Sequence, residues 1–222
     1  MNGQIFLSGG GDEKISQNID SLFVASLKGS KILYIPVALN RDSAGFESCN
    51  TWIHSALDPH TDRILDIEMI LDLSEISESD MQSYGGIYIG GGNTYKLLDL
   101  VRKSKLDKKI IEYLDRGGVY YGGSAGAIIM GANIETVEEE KDREISSKGF
   151  NLLNNYSVRC HIESDDLDMM RDYCKRTSEM VLGLPEGAGV IYSLGNFTVV
   201  GDHIFRITKD SCDKLSKDTV FK

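Results

Sequence analysis

One short segment of the sequence has the residue types and spacing of a nucleophile on a sharp turn. Residues 122–126 read Gly-Gly-Ser-Ala-Gly, the G-x-S-x-G pattern in literal form. A strand-like segment precedes it and a helix-like one follows, which is the context that lifts a serine hydroxyl out of a sheet. N–H groups at the start of that helix would face developing negative charge. The pattern predicts Ser124 as a nucleophile, against the simpler interpretation of a glycine turn.

A second glycine loop follows another short apolar strand. Residues 90–94 read Gly-Gly-Gly-Asn-Thr and open a helical pattern, and residues 8–11 form a similar loop. Such a loop brings backbone N–H groups close to an anion, as a phosphate cradle or as half of an oxyanion hole. It lacks the G-x-x-x-x-G-K-[ST] pattern of a P-loop. The simpler interpretation is a turn in which Asn93 or Thr94 caps the helix.

A serine nucleophile needs a base, and histidine is the usual one near neutral pH. The sequence offers four candidates: His54, His60, His161 and His203. Placement favours His161, because it ends a strand-like run and α/β sites collect at strand ends. A carboxylate should orient the imidazole. The sequence alone does not decide which carboxylate this is, and four candidates stay open: Glu139, Glu163, Asp165 and Glu186.

The acidic residues beside His161 have a second interpretation as a metal site. They are Glu163, Asp165, Asp166 and Asp168. No second histidine lies at ligand spacing, and acids are favoured in the first turn of a helix by its dipole. A solvated helix start is therefore the preferred interpretation, and we expect neither a metal nor a cofactor.

The elements that must position these residues alternate between strands and helices. Strands are predicted at residues 4–7, 31–37, 86–89 and 119–121. One long helix is predicted over 94–113, a hairpin at Gly195-Asn196, and an exposed polar excursion over 135–147. This alternation predicts an α/β fold with a mostly parallel sheet.

Composition limits the classes of function. The chain has 222 residues, which we expect to form one domain, 1–222, and a formal net charge of −10. Nucleic acid would be repelled by most of such a surface. The four cysteines form no C-x-x-C pair, and no apolar run approaches the length of a membrane span. We expect a cytoplasmic protein without a leader segment, bound neither to nucleic acid nor to membrane.

Four motifs in combination resemble those of peptidase family S51, the group of dipeptidase E (aspartyl dipeptidase) and cyanophycinase. They are I-G-G-G-N-T at 89–94, G-G-S-A-G-A at 122–127, a single histidine at 161, and G-L-P-E-G at 183–187. The resemblance implies Ser124 as nucleophile, His161 as base and Glu186 as the orienting acid. It also implies a three-layer α/β sandwich of the class I glutamine amidotransferase type.

The resemblance implies roles for further residues. The amides of Gly92 and Ala125 would form the oxyanion hole, and Asn93 and Thr94 would lie at the edge of the substrate pocket. In aspartyl-specific members an arginine after the histidine pairs with the substrate's aspartate, and Arg171 is the nearest candidate here. The sequence departs from dipeptidase E at Cys160, where that enzyme has proline.

The function that follows is a serine exopeptidase acting on short peptides through an acyl-enzyme, like a dipeptidase and with Asp-X substrates as the family's example. Acids between residues 163 and 172 would repel an acidic side chain wherever they face the pocket. Two alternatives stay open: a non-catalytic α/β module that binds a ligand or partner, and an esterase or amidase using the same residues. A homodimer is compatible with the sequence.

Overall fold

The computed structural model describes residues 1–39, 43–137, 139 and 144–222. Twelve strands lie within these residues: β1 Gln4–Ser8, β2 Lys31–Ile35, β3 Asp66–Met69, β4 Gly86–Ile89, β5 Val119–Gly123, β6 Tyr156–Cys160, β7 Met180–Leu184, β8 Gly189–Ser193, β9 Asn196–Val200, β10 His203–Ile207, β11 Cys212–Ser216 and β12 Val220–Phe221. The described α-helices are α1 Gln17–Ser26, α2 Ser43–Leu57, α3 Glu78–Met81, α4 Thr94–Lys103, α5 Leu106–Asp115, α6 Ala125–Ile128 and α7 Leu167–Thr177.

The strands of the described chain form two sheets. The larger has the order β12-β9-β8-β1-β5-β4-β2-β3, and its five strands from β1 to β3 in this order are parallel. The smaller has the order β11-β10-β7-β6, in which β6 and β7 are parallel. Strands β8, β9 and β12 extend the larger sheet in antiparallel fashion. The predicted α/β class with a mostly parallel main sheet is confirmed.

Both faces of the larger sheet are covered, which explains the continuous apolar runs of its parallel strands. On one face, Ile19 and Phe23 of α1 and Ile53 of α2 pack with the strands into one core cluster. On the other face, Leu97 of α4 and Ile110 of α5 belong to a larger cluster that also includes β6 and β7. The smaller sheet is therefore joined to the parallel sheet through a shared apolar core.

The predicted continuous helix over 94–113 is wrong, because two helices occupy this stretch. Helix α4 ends at Lys103, and Lys105 adopts a left-handed conformation with φ 59° before α5 begins. The Ser104 hydroxyl donates to the carbonyls of Leu100 and Val101, which closes the last turn of α4. Apolar spacing continues across the break because both helices bury a face against the same core.

The hairpin near residue 195 is confirmed, with its turn one residue earlier than predicted. Ser193 pairs with Asn196, so the two loop residues are Leu194 and Gly195, both with positive φ. This is the geometry that matches the twist of adjacent strands.

The predicted exposed excursion over 135–147 fits only part of the described chain. Thr136 is 1% exposed and donates its hydroxyl to the Val158 carbonyl. Residues 138 and 140–143 of this prediction lie outside the described residues. Among the described helices, none combines the length and apolar character needed to cross a bilayer.

Candidate active site

Ser124 stands on a strained turn between β5 and α6. Its backbone has φ 50° and ψ −110°, a conformation that non-glycine residues adopt only where the surroundings enforce it. The neighbouring glycines make the turn sterically feasible: a Cβ on Gly122 would lie 2.4 Å from the Gly126 carbonyl oxygen. The Ser124 N–H donates to the Ser8 carbonyl at 3.1 Å, which ties the turn to the end of β1.

The structure brings Ser124, His161 and Glu186 into one chain of hydrogen bonds. Ser124 Oγ lies 2.8 Å from His161 Nε2, and His161 Nδ1 lies 2.9 Å from Glu186 Oε1. A carboxylate on Nδ1 favours the tautomer that carries its proton there, which leaves Nε2 as an acceptor for the serine hydroxyl. The arrangement is able to remove a proton from Ser124.

The parallel pairing of β6 and β7 sets His161 and Glu186 side by side. Cys160 pairs with Leu184 at the ends of these strands, so the residues that follow leave the sheet at the same edge. His161 also has a positive φ of 53°, which turns the chain sharply after the strand. This register places the imidazole and the carboxylate together although 25 residues separate them in sequence.

The glycine loop after β1 holds the backbone of His161 and of the residue after Glu186 through hydrogen bonds. The His161 N–H donates to the Gly9 carbonyl at 3.1 Å, and the Gly187 N–H donates to the Gly10 carbonyl at 3.0 Å. The His161 ring lies so close to Gly10 that a Cβ there would fall 2.3 Å from Cε1. This role was not predicted, although the run of glycines at residues 9–11 marked a loop that requires close approach.

The glycine loop after β4 lies against Ser124. A Cβ on Gly91 would be 3.2 Å from the Ser124 Cβ, and Gly92 has φ 131°, with the Ala38 carbonyl carbon only 2.3 Å from where a Cβ would lie. Within the described chain, no hydrogen bond from the amides of Gly92 and Ala125 is found. Both amides therefore stay available to a ligand.

Asn93 and Thr94 are engaged at the N-terminus of α4. The Asn93 side-chain oxygen accepts the Lys96 N–H at 2.7 Å, as a helix cap does. The Thr94 N–H and hydroxyl donate to the Glu139 carboxylate at 2.8 to 2.9 Å. Glu139, one of the four candidate carboxylate partners of the histidine, thus binds the N-terminus of α4.

The other predicted site residues are distributed differently. Arg171 is on α7, where its guanidinium lies 3.4 Å from the Asp168 carboxylate one turn earlier. Two cavities, described below, open beside Ser124, and Arg171 lines neither of them. Glu163 and Asp165 line one of those cavities. Among the described residues, no three His, Cys, Asp or Glu side chains are arranged to hold a metal ion.

Cys160 is the thiol closest along the chain to His161, and burial keeps it neutral. It is 3% exposed, and burial raises the pKa of its thiol to about 12. The Sγ atom lies 3.5 Å from the Ser8 carbonyl oxygen and 3.6 Å from that of Ser124. A neutral thiol is a poor nucleophile, so Cys160 is a weak candidate for nucleophilic chemistry at this turn.

Two cavities meet at the serine and the histidine. Ser124, His161 and Gly92 line both of them. The first, of about 560 Å³, is bounded by aromatic residues that include Tyr34, Trp52 and Tyr88. The second, of about 600 Å³, is bounded by acidic residues. Volumes of this size are typical of sites for small molecules.

Comparison with known proteins identifies the class to which this fold and this site belong. The model of peptidase family S51 matches residues 5–200, most of the chain. The chain belongs to peptidase family S51, and the predicted family is confirmed.

Relatives of known sequence are peptidases from bacteria. Peptidase E of Escherichia coli is 26% identical over 171 residues, covering 72% of this chain and 66% of the relative. An uncharacterized peptidase of Listeria monocytogenes is 28% identical over 141 residues, covering 60% of this chain and 62% of the relative. The matches thus span somewhat less than two thirds of each relative's length.

Two solved structures share the fold. A peptidase from an acI-B1 Actinobacterium matches with a TM-score of 0.77 and 18% identity, covering all of this chain and 97% of the other. A putative peptidase E from Listeria monocytogenes matches with a TM-score of 0.66 and 19% identity, covering 90% and 98%. At these identities the likeness concerns the architecture alone.

Proposed function

We propose that this peptidase is a serine-type exopeptidase that hydrolyses short peptides, in the manner of a dipeptidase, through Ser124, His161 and Glu186. The observation that carries the proposal is the unbroken chain from the Ser124 hydroxyl through both ring nitrogens of His161 to the Glu186 carboxylate. The name of the relative Peptidase E supports the same class.

The reaction proceeds in two acyl transfers. Ser124 Oγ attacks the peptide carbonyl carbon while its proton passes to His161 Nε2, and Glu186 stabilises the imidazolium that results. The amides of Gly92 and Ala125 donate to the oxyanion. The tetrahedral intermediate collapses as the leaving amine takes the proton from Nε2, which breaks the C–N bond and leaves an ester on Ser124.

Water completes the cycle. His161 Nε2 removes a proton from a water molecule as the oxygen attacks the ester carbonyl. The second intermediate collapses with return of that proton to Ser124 Oγ, which releases the acid and restores the enzyme. The two cavities beside Ser124 have the volume of small-molecule sites, which favours peptides of a few residues over a long chain.

The test combines covalent labelling with a substrate panel. A serine-directed fluorophosphonate should add to Ser124, as located by peptide mass spectrometry, and dipeptides with free N-termini should be hydrolysed. Absence of both label and hydrolysis would favour a non-catalytic binding module. Labelling with turnover of esters but of no peptide would favour an esterase.

A further inference from the structure

The cleft has two walls of different chemistry on either side of the reacting groups. Because Ser124 and His161 line both cavities, a peptide bond held at Ser124 has one cavity available on either side of it. The charge on each wall therefore selects the residue that occupies it. Such selection of a class of substrate rests on the proposed function.

The second cavity is strongly negative. Its described lining includes four carboxylates and one guanidinium, a formal charge of −3. The carboxylates belong to Glu139, Glu163, Asp165 and Asp166. The one described cation, Arg159, is already engaged: its side chain is 8% exposed, donates to the Thr136 carbonyl at 3.1 Å and lies 3.5 Å from the Asp166 carboxylate.

The described lining of the first cavity contains no lysine or arginine that would compensate this negative charge. Tyr88 stacks on Tyr121 with ring centroids 4.2 Å apart, and Trp52 meets Tyr88 edge-on. Ser16, which also lines this cavity, donates its hydroxyl at 2.6 Å to another carboxylate, that of the fully buried Asp20. Its second oxygen has no hydrogen-bond partner among the described residues. An acidic substrate side chain thus meets no free described cation on either wall.

The end of the peptide that enters the second cavity follows from charge. The C-terminal residue of a dipeptide ends in a carboxylate, which the acidic wall repels. The N-terminal residue carries an ammonium group, which the same wall attracts. The N-terminal residue therefore occupies the second cavity, and the residue of the leaving amine occupies the aromatic first cavity.

We infer that the preferred substrates are short peptides whose N-terminal residue is basic, lysine or arginine, and that N-terminal aspartate is rejected. The acidic wall then binds two positive charges, the α-ammonium and the side chain. This preference is opposite to Asp-X cleavage, and it accords with the position of Arg171, whose guanidinium pairs with Asp168 outside both cavities.

The test compares Lys-Leu, Leu-Leu and Asp-Leu as substrates of the full chain at low salt. We expect kcat/KM for Lys-Leu to exceed that for Asp-Leu by at least about tenfold, with the ratio falling as ionic strength rises. The double variant Glu163→Gln/Asp165→Asn should lower the ratio about tenfold, because it removes two charges from the wall and keeps the side-chain shapes. Asp165→Asn alone should lower it less.

A matched control makes the same kind of change outside the cleft. Asp172→Asn removes an exposed carboxylate that pairs with Lys175 on α7, and it should leave the Lys-Leu to Asp-Leu ratio unchanged. A ratio that the double variant and Asp165→Asn fail to change would overturn the inference. A preference for Asp-Leu that Arg171→Ala abolishes would overturn it as well.

These failures are distinct from failure of the proposed function. If Ser124 is labelled and Leu-Leu is hydrolysed without any preference for Lys-Leu, the exopeptidase stands and the acidic wall does not select substrates. If Ser124 is unlabelled and no dipeptide is cleaved, both conclusions fall together.

Discussion

The two sheets contribute to the site in different ways. The larger sheet supplies Ser124 on a turn fixed by its own strand, its own short helix and the glycines next to it. The smaller sheet supplies His161 and Glu186, whose side chains are 47% and 52% exposed and rest on the backbone of a loop from the larger sheet. Ser124 is thus positioned mainly by residues near it in the sequence, whereas His161 and Glu186 are positioned by the pairing of β6 with β7 and by contacts with the larger sheet.

Loss of the nucleophile should have the largest effect. Ser124→Ala removes the atom that forms the acyl-enzyme in the proposed mechanism, and we expect kcat for dipeptide hydrolysis to fall by about 10⁴-fold or more. The melting temperature should change little, because alanine keeps the Cβ and the backbone contacts of the turn. Wild-type turnover by this variant would show that the turn is only a structural connection and that Ser124 does not act as the nucleophile.

This difference between the sheets explains which parts of the site could be read from the sequence. The strands that end in glycine and the turn around Ser124 are local patterns, and the parallel sheet follows from their alternation with helices. His161 could be selected by its place at a strand end. Its proximity to Glu186 depends on the pairing of β6 with β7, which spacing alone leaves open, so Glu186 follows from the family resemblance and not from the spacing.

Contacts across long distances in the chain could not be predicted. The close contact between Gly10 and the His161 ring joins residues about 150 positions apart. The position of Glu139 on the head of α4 likewise depends on the packing of a segment with no periodic pattern. The apolar spacing continues through Ser104 and Lys105 without a glycine or proline, so the sequence does not mark the break between α4 and α5.

Loss of the Glu186 carboxylate, which the smaller sheet supplies, should have the next largest effect on kcat. Glu186→Gln replaces an acceptor with a group that donates or accepts, so the tautomer of His161 is no longer fixed. We expect kcat to fall by about 10²- to 10³-fold, less than the roughly 10⁴-fold typical of a buried orienting acid, because solvent reaches this pair. The check is the pH profile of kcat for wild type and variant.

A matched change elsewhere separates chemistry from a general loss of charge. Glu112→Gln removes a carboxylate that pairs with Arg116 on α5, away from the cleft, and it should leave kcat unchanged. Equal effects of the two substitutions would show that Glu186 does not orient the histidine.

The contact between the sheets is tested by Gly10→Ala. The added methyl would fall 2.3 Å from Cε1 of His161, so the ring must leave its position between Ser124 and Glu186. We expect kcat to fall about 10- to 100-fold, with fluorophosphonate labelling of Ser124 slowed in proportion. The free energy of unfolding should fall by about 1 kcal/mol or more, because φ at this position is 103°.

Gly195→Ala is the control for backbone strain. Its φ is 81°, and a Cβ there meets nothing within 4 Å. It should lower stability through strain alone and leave kcat unchanged. A loss of activity as large as that of Gly10→Ala would mean that strain, and not displacement of the imidazole, accounts for the effect.

The smallest effect on turnover is expected at Asp20, which belongs to the larger sheet's side of the molecule and leaves the chain of hydrogen bonds at Ser124 untouched. Burial raises the pKa of its carboxyl from 3.8 to about 6, partly offset by the hydrogen bond from the Ser16 hydroxyl. Because the folded chain holds this proton more tightly than the unfolded chain, the protonated carboxyl contributes to the free energy of unfolding. This contribution is fully present below pH 3.8, where Asp20 is protonated in both states, and it is lost as pH rises through about 6. Asp20→Asn removes this titration, so the free energy of unfolding of wild type relative to the variant should fall by up to about 3 kcal/mol between pH 4 and 7. Urea unfolding at several pH values measures this difference, and parallel curves for the two proteins would show that Asp20 does not titrate in this range.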